Sequence, residues 1–174
     1  MNEWSEIEYF DETFDKRTKA LIDFSDEYIG ISDVLDIGCG MMFAKGYLKS
    51  KGIHNYSGLD YKKRDDNTIV CDLNKKEFYD HEYDLFLIAG CLEYVENPEW
   101  FFEQLKKCRK KILISYCTIE LNSNLEQRRA NAWKNDLCEN DIVCGICKVG
   151  FKLSKKCIYR EKTVFFEFVK ENKV

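Results

Sequence analysis

Val34-Leu35-Asp36-Ile37-Gly38-Cys39-Gly40 is an apolar run with one acid inside it that ends in Gly-x-Gly. It reads as a buried parallel strand turning sharply beneath a ligand, because glycines accept positive φ and let the main chain approach closer than a Cβ would allow. A dinucleotide fingerprint would continue to a third glycine where Phe43 stands, so close approach to a pyrophosphate is not provided for. No Gly-Lys-Ser/Thr follows, which sets aside a P-loop. What remains is a glycine turn for a ligand without phosphates.

The rest of the 174 residues must supply the frame for that turn. A chain of this length is expected to form one domain over residues 1–174. Its 31 acidic and 27 basic residues give a net charge of −4. Nucleic-acid affinity rests on clustered Lys and Arg, so the balance argues against such a partner and for small ones. The nine cysteines are odd in number, and Cys39, Cys71, Cys91, Cys108 and Cys117 sit within or beside apolar runs. Reduced thiols in a cytoplasmic protein are the simplest reading. Cys144 and Cys147 form a close pair near Cys138 and Cys157, yet no second close pair or His completes a metal site, so no metal is expected. The longest apolar stretch, Leu85 to Leu92, is too short to span a bilayer.

Trp4, Ile7, Phe10, Phe14, Leu21, Phe24 and Tyr28 recur at helical spacing, which predicts one or two amphipathic helices within residues 1–30. A helix is expected from Met41 to Ser50, capped by Gly52. Strands are expected at Tyr56–Leu59, Thr68–Cys71, Tyr83–Ala89 and Lys111–Tyr116. Asn97-Pro98-Glu99 is a helix start, an Asn cap followed by Pro at the first helical position and an acid in the first turn. Lys106, Lys107, Arg109, Lys110 and Lys111 read as a solvated basic run at that helix's carbonyl end. Leu121 to about Lys148 reads as helical, and Lys152–Tyr159 with Thr163–Lys170 as a closing hairpin. The alternation predicts an α/β sheet, parallel except for one antiparallel strand near its end.

Ligands in such sheets bind at the carboxyl ends of the strands. Asp36 precedes the glycines, and Asp60 follows the second strand at 22 residues past Gly38, a distance suited to a carboxylate that accepts from ribose hydroxyls. Asp72 ends the third strand, and Gly90-Cys91-Leu92-Glu93-Tyr94 ends the fourth. Any one of these acids alone is as well read as a turn or cap residue. Their joint placement is what carries the reading.

With these residues the chain resembles the class I S-adenosylmethionine-dependent methyltransferases. The resemblance implies a Rossmann-like methyltransferase fold, a seven-stranded, mostly parallel sheet in the order 3-2-1-4-5-7-6 with helices on both faces. It further implies S-adenosylmethionine as cofactor, bound by Asp36, Gly38, Cys39, Gly40, Asp60, Tyr61, Asp72, Leu73 and Gly90, with Asp72 at the adenine amino group and Gly90 beside the sulfonium. Residues 1–30 become either a packing layer or a lid over the cofactor. One departure is Met42, where relatives often have a glycine, and it is expected to narrow the space beside the methionine tail. Another is Tyr94, where many relatives have His. The Asp/Asn-Pro-Pro-Tyr motif of nucleobase amino methyltransferases is missing, which lowers that reading.

The expected reaction is methyl transfer to a small-molecule or carbohydrate acceptor, through a hydroxyl. The protein's main task is to hold a nucleophile in line with the methyl. His54 and His81 precede the second and fourth strands, at the wrong edge of the sheet for chemistry. Glu93 is therefore the candidate base or positioning group, with Tyr94 as a donor beside it. Glu93 is equally well read as a cap of the following helix. Tyr116, Arg129 and Trp133 are the candidate acceptor contacts, with Arg128, Asn131 and Asn135 nearby, since arginines near an aromatic plane suit a carboxylate, a phosphate or a sugar face. A solvated helix face with one core Trp accounts for the same residues. Leu92–Trp100 and Ile114-Ser115-Tyr116 are similar to small bacterial methyltransferases associated with surface carbohydrate. A cofactor-binding, non-catalytic subunit that activates or scaffolds an enzyme is the alternative, and methylation of a protein side chain or terminus is a third reading.

Overall fold

The structure is a computed structural model and describes residues 12–171. Trp4, Ile7 and Phe10 of the expected amphipathic helices lie outside the described residues. Seven strands form one sheet: β1 (Asp33–Ile37), β2 (Asn55–Asp60), β3 (Ile69–Val70), β4 (Tyr83–Ala89), β5 (Cys108–Tyr116), β6 (Phe151–Tyr159) and β7 (Thr163–Lys170). Their order is β3-β2-β1-β4-β5-β7-β6, and β7 alone runs antiparallel to its neighbours β5 and β6. This is the Rossmann-like methyltransferase topology, with the reversal falling where the closing hairpin was expected.

Helices cover both faces because the central strands are apolar on both. On one face Val34, Leu85, Leu87, Leu113 and Phe165 pack on Leu21 and Ile22 of α1 (Glu12–Phe24) and on Ala44 and Leu48 of α2 (Phe43–Ser50). The opposite face sets Leu35, Phe86, Ile88, Ile112 and Phe166 against Phe101 and Phe102 of α3 (Pro98–Gln104) and Ile142 and Ile146 of α5 (Glu139–Cys147). Successive residues of one strand thus enter different cores, the two-residue period of a pleated strand. A short helix, α4 (Leu125–Ala130), lies between β5 and α5.

Three expectations about the chain's course are corrected. The basic run does not end a helix: α3 stops at Gln104, one 3-10 turn spans Leu105–Lys107, and β5 begins at Cys108. Its last three cations have buried or half-buried acidic partners that the local sequence does not reveal. Arg109 bridges Asp33 and Asp84, Lys110 reaches Asp84, and Lys111 meets Glu167 at 3.2 Å. Leu121–Lys148 is not one helix, because α4 and α5 are separated by residues 131–138, where Ala132 adopts a φ of 60°. Met42, with a φ of 57°, lies outside α2, which begins at Phe43. All nine cysteines are free thiols, and among the described residues no three His, Cys, Asp or Glu side chains gather as a metal cluster. Among those residues no helix is long and apolar enough to cross a membrane.

Candidate functional site

The carboxyl ends of β1, β2 and β4 open into one cavity of about 840 Å³, a volume suited to a cofactor-sized ligand. Gly38 and Gly40 form its floor, both with positive φ (73° and 46°). The two glycines serve different ends. A Cβ at Gly38 would lie 2.5 Å from Cys91 Sγ, so this glycine makes room for protein. A Cβ at Gly40 would meet nothing within 4 Å, so the space beside it is a cradle open to a ligand. Backbone N–H groups of Gly38 and Cys39 donate to Leu59 O, which fixes the turn to β2.

Asp60 ends β2 and is nearly buried. Its Oδ2 accepts from the Gly40 N–H at 2.9 Å, and its Oδ1 accepts from Lys62 N and from Arg64 Nη2, both at 3.1 Å. Asp36 accepts a hydrogen bond from the Tyr56 hydroxyl at 2.6 Å. Burial pushes its carboxyl up to about 7, a rise that the Tyr56 bond opposes and the nearby Asp60 charge adds to. Asp72 follows β3 and caps a 3-10 turn, accepting from Asn74 N at 3.0 Å. Asn74 in turn bonds Tyr94 O and Glu96 N, tying the end of β3 to the end of β4.

Glu93 sits in the 3-10 turn Leu92–Tyr94 that follows β4 and is only 2 % exposed. Oε1 accepts from Cys117 N at 3.0 Å, whereas Oε2 is buried without a hydrogen-bond partner among the described residues. Burial raises the Glu93 pKa, opposed by the charge of Arg17 and the N–H of Cys117. Tyr94 is pushed up to about 12 by burial and by Glu93, which makes it a hydrogen-bond donor and not a base at neutral pH.

All nine expected cofactor contacts lie on the cavity wall: Asp36, Gly38, Cys39, Gly40, Asp60, Tyr61, Asp72, Leu73 and Gly90. Glu93, Tyr94 and Trp133 line it too. Tyr116 and Arg129 do not. Tyr116 is wholly buried, its hydroxyl donating to Asn135 Oδ1 and accepting from Leu137 N and Arg128 Nη2. Arg129 is turned to Asp136 and to Trp133 O. Met42 is absent from the wall as well, because its side chain packs over Gly58.

Arg128 is neither a solvated helix residue nor a cavity contact. It is 1 % exposed, with Nε on Asp136 at 2.6 Å, Nη1 on Cys117 O at 2.8 Å and Nη2 on Tyr116 Oη and Asn135 O. Its guanidinium lies 4.8 Å from the centre of the Trp133 ring and so supports that ring from behind the cavity. Sequence reasoning missed Arg17, Phe14 and Arg64 on the wall. The i, i+4 spacing of Asp60 and Arg64 is a local signal that could have found the last; Arg17 has none, since only the fold brings α1 over β4.

The comparisons with known proteins agree with this geometry. Residues 35–112 match a family model described as a methyltransferase domain. An uncharacterized protein of Methanocaldococcus jannaschii is 28% identical over 96% of this chain and 87% of its own length. Among solved structures, an S-adenosylmethionine-dependent methyltransferase of Mesorhizobium loti has a TM-score of 0.75 at 14% identity, covering 90% of this chain and all of that one. A putative methyltransferase of Haloferax volcanii, solved with the Trm112 methyltransferase activator, scores 0.73 at 14% identity, covering 94% of this chain and 93% of that one. The N-methyltransferase NodS of Bradyrhizobium japonicum, solved with S-adenosylhomocysteine, scores 0.72 at 13% identity over 98% of this chain and 95% of its own. Segment 35–112 therefore matches a methyltransferase domain, and the seven-stranded sheet around it shares the fold of these solved methyltransferases.

Proposed function

We propose that the methyl acceptor is a hydroxyl of a small molecule or carbohydrate and that Glu93 is the residue that receives it. The observation that carries this reading is Glu93 Oε2, a buried carboxylate oxygen on the wall of the cavity with no hydrogen-bond partner among the described residues. A buried acceptor left unsatisfied is costly, so it marks a place where a ligand's donor completes the structure.

The residues present fit the cofactor. Gly40 leaves the cradle that a Cβ would fill, and the acids stand at the ends of successive strands. Asp60 would accept from ribose hydroxyls through Oδ2, which among the described residues takes only the Gly40 N–H. Asp72 and Leu73 would hold the adenine, and Asp36 with the glycine turn the methionine end. When bound, S-adenosylmethionine supplies an electrophilic methyl group on a sulfonium.

The protein's own residues orient and deprotonate. Cys117 N–H fixes Glu93 Oε1 and so points the second oxygen. A pKa raised by burial makes Glu93 a stronger base toward a hydroxyl than an exposed carboxylate would be. Tyr94 donates, and Trp133 offers a flat face to a sugar or ring. A net charge of −4 supports a small acceptor over a nucleic acid.

The test is release of S-adenosylhomocysteine by the purified full chain with a fractionated pool of small metabolites, repeated with Glu93→Gln. Turnover that depends on Glu93 is expected. Tight cofactor binding with no turnover on any fraction would refute the reading and favour a scaffolding subunit.

A further inference from the structure

We propose that the acceptor carries a carboxylate and that Arg17, on α1, is the residue that selects it. This rests on the methyl-transfer reading of the same cavity and adds the chemical class of what is methylated.

Gly90 makes room for the Arg17 guanidinium. A Cβ there would lie 2.6 Å from the Arg17 guanidinium carbon, so only a glycine at the end of β4 lets the guanidinium lie where it does. Nη2 then donates to Ala89 O at 3.1 Å, and the guanidinium stands 5.0 Å from the centre of the Phe14 ring. These contacts fix the group but leave Nε buried with no hydrogen-bond partner among the described residues. Arg17 and Glu93 line the same cavity, and the Arg17 charge acts on Glu93. Among the buried atoms of wall residues that lack a hydrogen-bond partner within the described residues are a charged donor, Arg17 Nε, and a carboxylate oxygen, Glu93 Oε2, of opposite sense. A ligand that satisfies both must present an oxyanion to Arg17 and an O–H or N–H to Glu93.

The other cations of the wall are committed. Arg64 faces Asp60, and Lys134 pairs with Glu96 at 3.1 Å. The Arg17 guanidinium beside a carboxylate suits a monoanion and disfavours a phosphate dianion, which Glu93 would repel. Trp133 on the same wall suits a planar body for the ligand.

The experiment uses 4-hydroxybenzoate and its uncharged amide, 4-hydroxybenzamide, as probes, titrated calorimetrically into the full chain saturated with S-adenosylhomocysteine. The carboxylate should bind at least tenfold more tightly than the amide, about 1.4 kcal/mol. In Arg17→Gln that ratio should fall to near one, with S-adenosylhomocysteine affinity changed less than threefold. Arg17→Lys, which keeps the charge, should retain part of the preference, and it stands in should the Gln variant not fold. Equal binding of the two probes, or a preference that survives in Arg17→Gln, would overturn the proposal. So would a tenfold tightening of S-adenosylmethionine binding in Arg17→Gln without loss of a carboxylate preference, which would make Arg17 a plug of the cofactor site. Failure of the underlying reading looks different, since the unmodified chain would then bind the cofactor yet release no S-adenosylhomocysteine with any acceptor, whatever its preference between the two probes.

Discussion

Replacing Gly38 by alanine should damage the fold more than the cofactor site, and Gly40→Ala should do the reverse. At Gly38 the added Cβ would sit 2.5 Å from Cys91 Sγ and 2.6 Å from Cys91 Cβ. Neither partner can step aside cheaply: Gly38 N–H is held by Leu59 O at 2.8 Å, and Cys91 opens the 3-10 turn that carries Glu93. Overpacking of this kind costs about 1–3 kcal/mol. A non-glycine residue at a φ of 73° adds about 1–2 kcal/mol. The sum, about 2–5 kcal/mol, corresponds to a fall in Tm of about 4–20 °C for a chain of this size. Gly40→Ala should lose only the backbone part, about 1–2 kcal/mol, because nothing stands within 4 Å of the new carbon. Its loss should appear as weakened binding of S-adenosylhomocysteine. Urea unfolding measures the first quantity and calorimetric titration the second. Cys91→Gly, introduced beside Gly38→Ala, should recover the packing part. Gly38→Ala as stable as the unmodified protein, or no recovery in the double variant, would refute the assignment of the two glycines.

Asp60→Ala should weaken S-adenosylhomocysteine binding about ten- to a hundredfold, since a charged acceptor is worth about 1.5–3 kcal/mol; unchanged affinity by calorimetry would leave Asp60 as a partner of Gly40, Lys62 and Arg64 within the protein. Glu93→Gln should keep cofactor affinity within a few fold and lower turnover about 10²- to 10⁴-fold once an acceptor is in hand, as read by S-adenosylhomocysteine release. Asp36 binds its proton up to about pH 7 when folded but only to its ordinary value of 3.8 when unfolded, so it lowers stability as pH rises through that window. Asp36→Asn keeps an acceptor for Tyr56 and removes the titration, so its stability relative to the unmodified protein should rise by about 4 kcal/mol from pH 4 to pH 8 in urea unfolding, at 1.36 kcal/mol per pK unit; a constant difference would place Asp36 in a wetter setting than its burial implies.

The sheet was legible wherever apolar runs were long and their ends punctuated. Tyr83–Ala89 and Thr163–Lys170 coincide with β4 and β7, and the glycine turn fixed β1. The start of β5 was hidden because Arg109, Lys110 and Lys111 look like a helix end until Asp33, Asp84 and Glu167 arrive from distant strands. The strand-end acids on the cavity wall were legible for the same reason as the strands, since they stand where apolar runs stop. The wall formed by α1 and residues 130–134 was not. Arg128 and Arg129 are adjacent and chemically alike, yet one is buried and the other exposed, a difference decided by Asp136, Tyr116 and Asn135 folding back over α4. Arg17 reaches the site from another helix altogether, through a contact that Gly90 permits and no local pattern announces.

The Arg128 guanidinium has a bearing on motion as well as on shape. It joins the end of β5, the loop carrying Trp133 and the approach to α5 through bonds to Cys117, Asn135 and Asp136. Segments held by one shared buried group open together, because releasing any one of them strands the charge that the others still face. In native-state hydrogen exchange, the amides of Cys117, bonded to Glu93, and of Leu137, bonded to the Tyr116 hydroxyl, should therefore share one opening free energy. The Trp133 side of the cavity is then a single cooperative block, to be transplanted or redesigned only as a whole.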